Sequence, residues 1–544
     1  MSTPTEIVRW YEQGSNERAN FDNIADEIRR FMDPHGPNIQ TKDAPGQRRA
    51  IEIFDNTAGW AGHLFSQFVQ GAACNPAMKW YSLQHPNVEL NRNGEVAQWN
   101  SIATDQGLAL KHDSFYGPVG QCINEWAFYG NAPMLVEEVP QKRPGLKRIR
   151  YTAVPFGSYV MFEGDDGKID RFIRSLELPA YIAVNLGDVS DDIKKSMEKT
   201  PTKKFEILHS IMPRDAYEKK DIETSTDMPY ESCWVEKKSK KLIKESGYRK
   251  FPVAIARHTL IAGETYARGR AELALPDARS LNQADQKALL KWDRELDPPT
   301  LTKSGTIVGG ILDKRAGGNS MVRDVNGVRP LFEGSNWQAH DTMAQRKEQS
   351  VLRVFAVNEI VQLLSRERPE MTAFEWDGRI KLLQQILGPV YHLLEADFFS
   401  VIIDIELDIM LNIPGMLPAL PAELERFGAH MAVYNGPLSK AQRQNEIQDI
   451  QQSMADIAGM QPLYAEAPLL IDGEKVIRKL FEIRGTQDVL RNETEFKESV
   501  DAYANAKNAE KMAGLLAGGA EALGKAAPGL KVLKDEAMGN RQAA

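Results

Sequence analysis

The chain has 544 residues, of which 42% are hydrophobic and 26% charged, and its formal net charge is -8. That length exceeds what one growing core supports and predicts two to four structural units. The acidic balance excludes a surface that coats nucleic acid generally, so any DNA contact has to be local.

Apolar residues recur at helical spacing from Thr5 to Met32, with Phe21, Ile24, Ala25, Ile28 and Phe31 on one side and "DPHGP" as the stop. The opening "MSTPTEIVRWYEQ" has no basic stretch leading into an apolar run, so no secretory leader is expected. A second helix is predicted over "FDNTAGWAGHLFSQFVQGA". Between Lys147 and Leu260 the pattern changes to short β runs, "KRIRYTAV", "SYVMFE", "IDRFIRSLEL", "KFEILHSIM", "SCWVEKK" and "FPVAIARH", separated by turn clusters such as "GDDG" and "KKSKK". This part reads as a mixed α+β domain.

A long polar helix follows, with Asp277 as its expected cap after Pro276, running for about 20 residues or roughly 30 Å. Leu281, Ala288, Leu289, Trp292 and Leu296 give it a thin apolar stripe, and Pro298-Pro299 stop it. A similar helix is predicted from Asn336 to Leu364, with Trp337, Met343, Val351, Val354, Phe355 and Leu363 among polar residues. Between the two lies an insert, Pro298 to Ser335, with seven glycines and the β-branched run "GTIVGGIL". Its Asn326-Gly327 pair, flanked by Val325 and Val328, predicts a hairpin. Lys303, Lys314, Arg315, Arg323 and Arg329 outnumber Asp313, Asp324 and Glu333 there.

Beyond comes the charged break "SRERPE", Ser365 to Glu370, then a long amphipathic helical region interrupted at Gly388-Pro389. Within it, "ADFFSVIIDIELDIMLNIPG" carries Asp404, Glu406 and Asp408, so its apolar run is too short for a bilayer and reads as a buried helix; no membrane partner is expected. After "NIPGMLPALPAEL" the chain is helical in composition from about Pro437 and ends in an Ala/Gly-rich tail.

Chemical motifs are scarce. The tail's "GAEALGKA", Gly519 to Ala526, has Ala where a phosphate loop needs Ser or Thr. "EGDDGKID", Glu163 to Asp170, lacks the ligand spacing of a calcium loop and reads as a β-turn. The nine histidines do not cluster, and no HExxH, GxSxG or CxxC occurs. Cys74, Cys122 and Cys233 offer neither a disulfide framework nor zinc spacing and read as buried small hydrophobes of a reducing compartment. Asp404 and Asp408, at helical spacing, read as partners for Lys or Arg at an interface. No catalytic set, metal site or cofactor is expected, and the chain reads as not an enzyme.

The stretches "FDNTAGWAGHLFSQFVQGAACNPAMKWYSL", "VPFGSYVMFEGDDGKIDRFIRSLEL", "ETYARGRAELALPDARSLNQ" and "MTAFEWDGRIKLLQQILGPV" resemble phage portal proteins, the head-to-tail connectors of short-tailed bacteriophages. The resemblance extends over about Ile7 to Leu424. It implies an α+β, mainly α fold with a wing (1–265), a stem helix (266–297), a clip (298–335), a returning stem helix (336–364), a tunnel loop (365–371), further wing helices (372–415) and a helical crown with the C-terminal tail (416–544). It departs from the family wording at "YGNAP", Tyr129 to Pro133, where an aromatic-Gly-Thr-Gly turn is more usual.

Such connectors are rings, typically homododecamers of about twelve subunits, at one vertex of the capsid. The resemblance implies assembly in the host cytoplasm, a place in the virion, and a channel through which double-stranded DNA is packaged and later ejected. The implied partners are other copies of the chain, the capsid protein, the terminase large subunit and tail adaptor or nozzle proteins. Arg366 and Arg368, alternating with Glu367 in the tunnel loop, are the expected phosphate contacts. Lys303, Lys314, Arg315, Arg323 and Arg329 in the clip are expected to meet motor, adaptor or DNA. A conduit should not bind DNA tightly, because a fully basic lining would release counterions and stall translocation, so the acidic net balance fits. The competing expectations are a tail adaptor or scaffold and a nucleic-acid-processing packaging enzyme; the second would need a complete nucleotide or metal motif.

Overall fold

The structure, a computed structural model, describes residues 3–44, 46–87, 90–92, 94–112, 114–139, 149–214, 224–296, 300–308, 321–330, 337–364, 388–427, 430–435, 437–460 and 473–484, with isolated positions between 490 and 507. They form an α+β chain that is mainly α, grouped into two compact units. The first unit holds residues 1–81, 105–417 and 434–445; the second holds 82–104, 418–433 and 446–544.

Helix α1 (Pro4–Phe31) begins where the sequence places it, because Thr3 and Glu6 form a reciprocal capping box and Pro4 sits where its missing N–H costs nothing. Its apolar face, Ile7, Val8 and Tyr11, packs on Val160, Ile173, Leu208, Met212, Cys233 and Val235 of a five-stranded antiparallel sheet. The strands are β4 (Tyr159–Glu163), β5 (Ile169–Pro179), β6 (Lys204–Pro213), β7 (Tyr230–Glu236) and β8 (Lys241–Tyr248), in that spatial order. The "GDDG" cluster closes the β4–β5 hairpin, with Gly164 N donating to Lys168 O at 2.8 Å. Small helices α5 (Ala180–Ala183) and α6 (Asp191–Lys199) join β5 to β6.

A three-stranded sheet, β3-β2-β9, uses β2 (Asn131–Glu138), β3 (Ile149–Ala153) and β9 (Val253–Arg257). Strands β2 and β8 are absent from the sequence reading. "NAPMLVEE" looks like a turn followed by a short run, yet it is the buried central strand, with Pro133 opposite Ile255. "KLIKESGY" is an edge strand whose charges keep that edge unattractive to other strands, so it carries little apolar signal.

The unusual "YGNAP" turn is also accounted for. Gly130 ends α4 (Tyr116–Tyr129) at φ 83°, where a Cβ would lie 2.5 Å from the Arg268 carbonyl carbon. The buried Asn131 amide then clasps Ala267, donating to its O at 2.7 Å and accepting from its N at 2.9 Å.

Several charged groups are buried in the first unit. Arg18 donates through Nε to Asp22 Oδ1 at 2.8 Å and through Nη2 to Gly157 O at 2.8 Å. Lys111, at the end of α3 (Gly94–Lys111), forms a fully buried ion pair with Glu406 of α10 (Ser400–Asn412). Tyr151 donates to the second Glu406 oxygen at 2.6 Å, and the ammonium lies over the Tyr81 ring at 4.7 Å. Burial pushes the Glu406 carboxyl up and the Lys111 ammonium down, and each partner's charge opposes the other's shift. Glu125 accepts a hydrogen bond from Phe156 N at 2.9 Å, and burial pushes it up to about 8.

Residues 388–394 are helical, and the described part of this helix begins at Gly388; the region before it, where the interruption is expected, lies outside the described residues. A π-turn at Glu395–Phe399 leads into α10, and the Glu395 carbonyl accepts from Ser400 N and also from the Tyr434 hydroxyl, the latter at 3.1 Å. Asp404 meets Lys250 at 2.7 Å, the partner type its spacing predicts. Among the described residues no helix is long and apolar enough to cross a membrane.

Strand β1 (Tyr81–Gln84) pairs with β12 (Met431–Tyr434). Trp99 donates from its ring nitrogen to Pro418 O at 3.2 Å and stacks on His430. The remaining described helices are α11 (Ala422–Phe427), α12 (Pro437–Met460) and α13 (Gly473–Arg484).

Candidate functional site

The sequence singles out two polar helices around a small insert, and the structure assembles them in the first unit. Helix α7 runs from Arg270 to Leu296, two turns longer at its start than expected, with Pro276 inside it. Asp277 is therefore not a cap. Its carboxylate accepts from Lys347 Nζ at 2.5 Å instead, and this partner holds it below the usual carboxylate range. The early turns are fixed from outside: Arg268 bridges Glu264 and Glu272, and Arg270 lies over the Phe65 ring at 4.7 Å. Those contacts outweigh the backbone bond that Pro276 forgoes.

The returning helix is not continuous. Helix α8 (Trp337–Val354) stops at Phe355-Ala356 and α9 (Val357–Leu364) begins after it. Ala356 is left-handed, φ 52°, a conformation that costs an L-residue roughly 1–2 kcal/mol. Packing enforces it: Phe355 is fully buried against Phe65 and Phe128, and Ile360 is buried one turn on. Arg270 Nη1 donates to the orphaned Val354 carbonyl at 2.9 Å. Its Nε donates to His258 Nε2 at 3.3 Å, so the proton sits on Nδ1, which faces Thr259. Burial and the nearby guanidinium push His258 down to about 3, keeping the ring neutral.

With Asp277 on Lys347 and Arg270 on Val354, α7 and α8 run antiparallel. Residues turn about 100° per position, so Ala271, Ala274, Ala278 and Leu281 share one face of α7, and all four are buried. Leu289 and Trp292 continue that same face, yet they are 49% and 56% exposed. Among the described residues the apolar stripe thus outruns its cover, Trp292 lying about three turns beyond the last buried residue of the face, Leu281.

The insert is a small β module. Strands β10 (Thr300–Thr302) and β11 (Val328–Pro330) pair antiparallel, with Leu301 opposite Arg329, and Ile307 bridges Val322. The Asn326-Gly327 hairpin does not form. Val325–Gly327 is a 3-10 turn capped by Asp324, and neither Asn326 nor Gly327 takes the positive φ a two-residue hairpin requires. Gly327 is needed for closeness instead, since a Cβ there would lie 2.6 Å from the Thr306 side chain.

Lys303, Arg323 and Arg329 all fall on this module, and all three are exposed. Leu301 and Met321 beside them are exposed apolar residues, 57% and 74%. Lys314 and Arg315 lie outside the described residues, as do Arg366, Glu367 and Arg368 and the Gly519 to Ala526 motif. Among the described residues no group of three or more His, Cys, Asp or Glu is placed to hold a metal ion. The three cysteines are buried, and burial pushes the Cys74 and Cys233 thiols up to about 12.

A family model described as bacteriophage head to tail connecting protein matches residues 5–490. The chain belongs to this family. It is a head-to-tail connector, a component of the phage particle, and the relatives agree. A portal protein of Salmonella phage epsilon15 is 24% identical over 500 residues, 88% of this chain and 87% of that protein. A probable portal protein of Bordetella phage BPP-1 is 22% identical over 478 residues, 84% and 83%. Among solved structures, a chain from the virion of a native gene transfer agent particle matches 78% of the connector and 95% of itself at 12% identity and TM-score 0.33, a likeness too distant to add to the assignment.

Sequence reasoning marked the insert, its basic residues and the apolar stripe. It missed Arg270 and the elbow at Ala356, because nothing local distinguishes a helical Arg or Ala from one placed by remote packing.

Proposed function

We propose that this connector is a portal: a cyclic assembly of its own copies, expected to number about twelve, forming a channel at one capsid vertex for DNA entry and exit. The observation that carries the reading is the bare end of α7. Leu289 and Trp292 extend a packed face into solvent, and in a ring the neighbouring copy's helix pair covers them. A head-to-tail contact of this kind closes on itself when the rotation between subunits divides the circle. In that frame residues 1–265 and 372–415 form the wing, 266–297 and 336–364 the two stem helices, 298–335 the clip, 365–371 the tunnel loop, and 416–544 the crown with the C-terminal tail.

The exposed cations Lys303, Arg323 and Arg329, with Lys314 and Arg315 in the same insert, suit docking of the terminase large subunit during packaging and of tail adaptors afterwards. The capsid protein would surround the ring. Arg366 and Arg368, beside Glu367, would touch passing phosphates; neutralising both should alter DNA packaging or retention and leave assembly intact. The reading is tested by electron microscopy of the purified protein, with end-on averages classified for symmetry. Open rings are expected. Compact monomers persisting at high concentration would overturn it.

A further inference from the structure

A row of side chains crosses the five-stranded sheet in register: Arg174 of β5 stands opposite His209 of β6, His209 opposite Trp234 of β7, and Trp234 opposite Lys244 of β8. Opposed residues of antiparallel strands point to one side, and successive residues to opposite sides. Their neighbours Ile173, Leu208, Cys233 and Val235 pack on α1, so the row faces away from that helix.

Arg174 is the exception among buried cations. Five Arg or Lys residues are buried among the described residues, and four of them reach a carboxylate: Arg18 on Asp22, Arg29 on Asp43, Lys111 on Glu406, and Arg257 on Glu163 and Asp397. Arg174 is 5% exposed and reaches none. Its Nε donates to His209 Nδ1 at 3.1 Å, and its guanidinium lies over the Trp234 ring at 5.8 Å. The two terminal nitrogens have no partner among the described residues, and neither is sealed from water. Leaving a buried guanidinium unpaired is costly unless something outside the chain completes it.

The surroundings hold that fork in place and withhold a partner. Because His209 Nδ1 accepts from Arg174, its Nε2–H donates to Ser232 Oγ at 2.9 Å. The ring also stacks on Trp234 at 4.2 Å. Burial, then the charges of Arg174, Lys244 and Arg150, push His209 well below its ordinary value, so it stays neutral and aims the guanidinium. Glu137 is the nearby acid, but both its oxygens are taken, one by the Tyr248 hydroxyl at 2.8 Å and one by Arg150 Nη2 at 2.7 Å. Lys244 is exposed and forms no ion pair among the described residues. Three cations against one carboxylate leave a local surplus of about two positive charges, which matches a phosphate group of about −1.5 to −2 better than a singly charged carboxylate.

We propose that this face of the sheet is a phosphate-binding site, in which the two terminal nitrogens of Arg174 donate to two oxygens of a phosphate group while Lys244 and Arg150 meet the others from the rim. The planar fork of one guanidinium suits two oxygens of a single anion. It is a site that the ring and channel reading does not use. The group can arrive free or on a nucleoside monophosphate, and the half-buried Trp234 ring is then the surface for the base.

The test is equilibrium dialysis of the full-length protein against radiolabelled inorganic phosphate at constant ionic strength. The samples are the parent, R174Q, K244Q and a control, R9Q, an exposed cation of α1 on the other side of the sheet, with circular dichroism to confirm folding. The parent is expected to bind about one phosphate per chain with a Kd of about 1 mM or tighter. Binding should weaken at least about tenfold in R174Q and about threefold in K244Q, and R9Q should match the parent. If R174Q does not fold, K244Q decides. No saturable binding up to about 10 mM, unchanged binding in K244Q or in folded R174Q, or an equal loss in R9Q would overturn the site. Unlabelled competitors identify the source. Adenosine monophosphate displacing no better than phosphate means that the free anion suffices, and displacement at about a tenth of the concentration means a nucleotide. Acetate displacing as well as phosphate would make this a carboxylate site, and a short DNA duplex displacing at a lower phosphate concentration than adenosine monophosphate would make it a backbone surface; either result would overturn the proposal.

Discussion

Trp292→Ser tests whether the bare end of α7 is a subunit interface. A tryptophan offers at most about 250 Å² to bury, so 56% exposure leaves roughly 140 Å² uncovered in one chain. Covering all of it would stabilise the interface by about 3.5 kcal/mol at about 25 cal/mol per Å², and partial cover by about 2. The substitution should therefore weaken each subunit pairing by roughly thirtyfold to three-hundredfold. Within the isolated subunit the side chain is mostly in water already, so thermal stability should move by no more than about 0.5 kcal/mol. Sedimentation velocity over a concentration series separates the two effects. The expected outcome is a folded chain that remains small at concentrations where the parent forms rings, with Leu289→Ser giving a weaker version of the same shift. Assembly of Trp292→Ser at the parent's concentrations would refute the reasoning, since the side chain would then be solvent-facing in the ring as well.

Two further outcomes follow from buried charge. Lys111→Met strands Glu406 without its cation, at a cost of about 3–5 kcal/mol, and the double variant Lys111→Met/Glu406→Leu should recover at least half of that in chemical denaturation; equal destabilisation in both would deny the pair its role. Glu125 sits at about 8 in the folded chain against an ordinary 4.5, so the folded state keeps a proton that the unfolded state releases between those values. Stability should fall as pH rises through that window, by up to about 1.4 kcal/mol per unit. Glu125→Gln retains the acceptor for Phe156 N and should flatten the decline, making the variant the more stable protein at pH 8 relative to pH 5; parallel pH profiles would count against the buried acid.

Much of the architecture is written locally. Thr3, Pro4 and Glu6 start α1 and "GDDG" turns a hairpin, because caps and turns act over a few residues. The insert and its basic residues were legible for the same reason, and so was the apolar stripe of α7. What the sequence could not indicate depends on groups far apart in the chain. Lys111 and Glu406 are separated by 295 positions, and neither looks buried until packing removes both from water. Asp277 reads as a cap until Lys347 takes its carboxylate, and Ala356 reads as helical until Phe355 finds its place between Phe65 and Phe128. The exposure of Leu289 and Trp292 is likewise a tertiary fact, since periodicity orders residues around a helix but only its neighbours decide which face is covered.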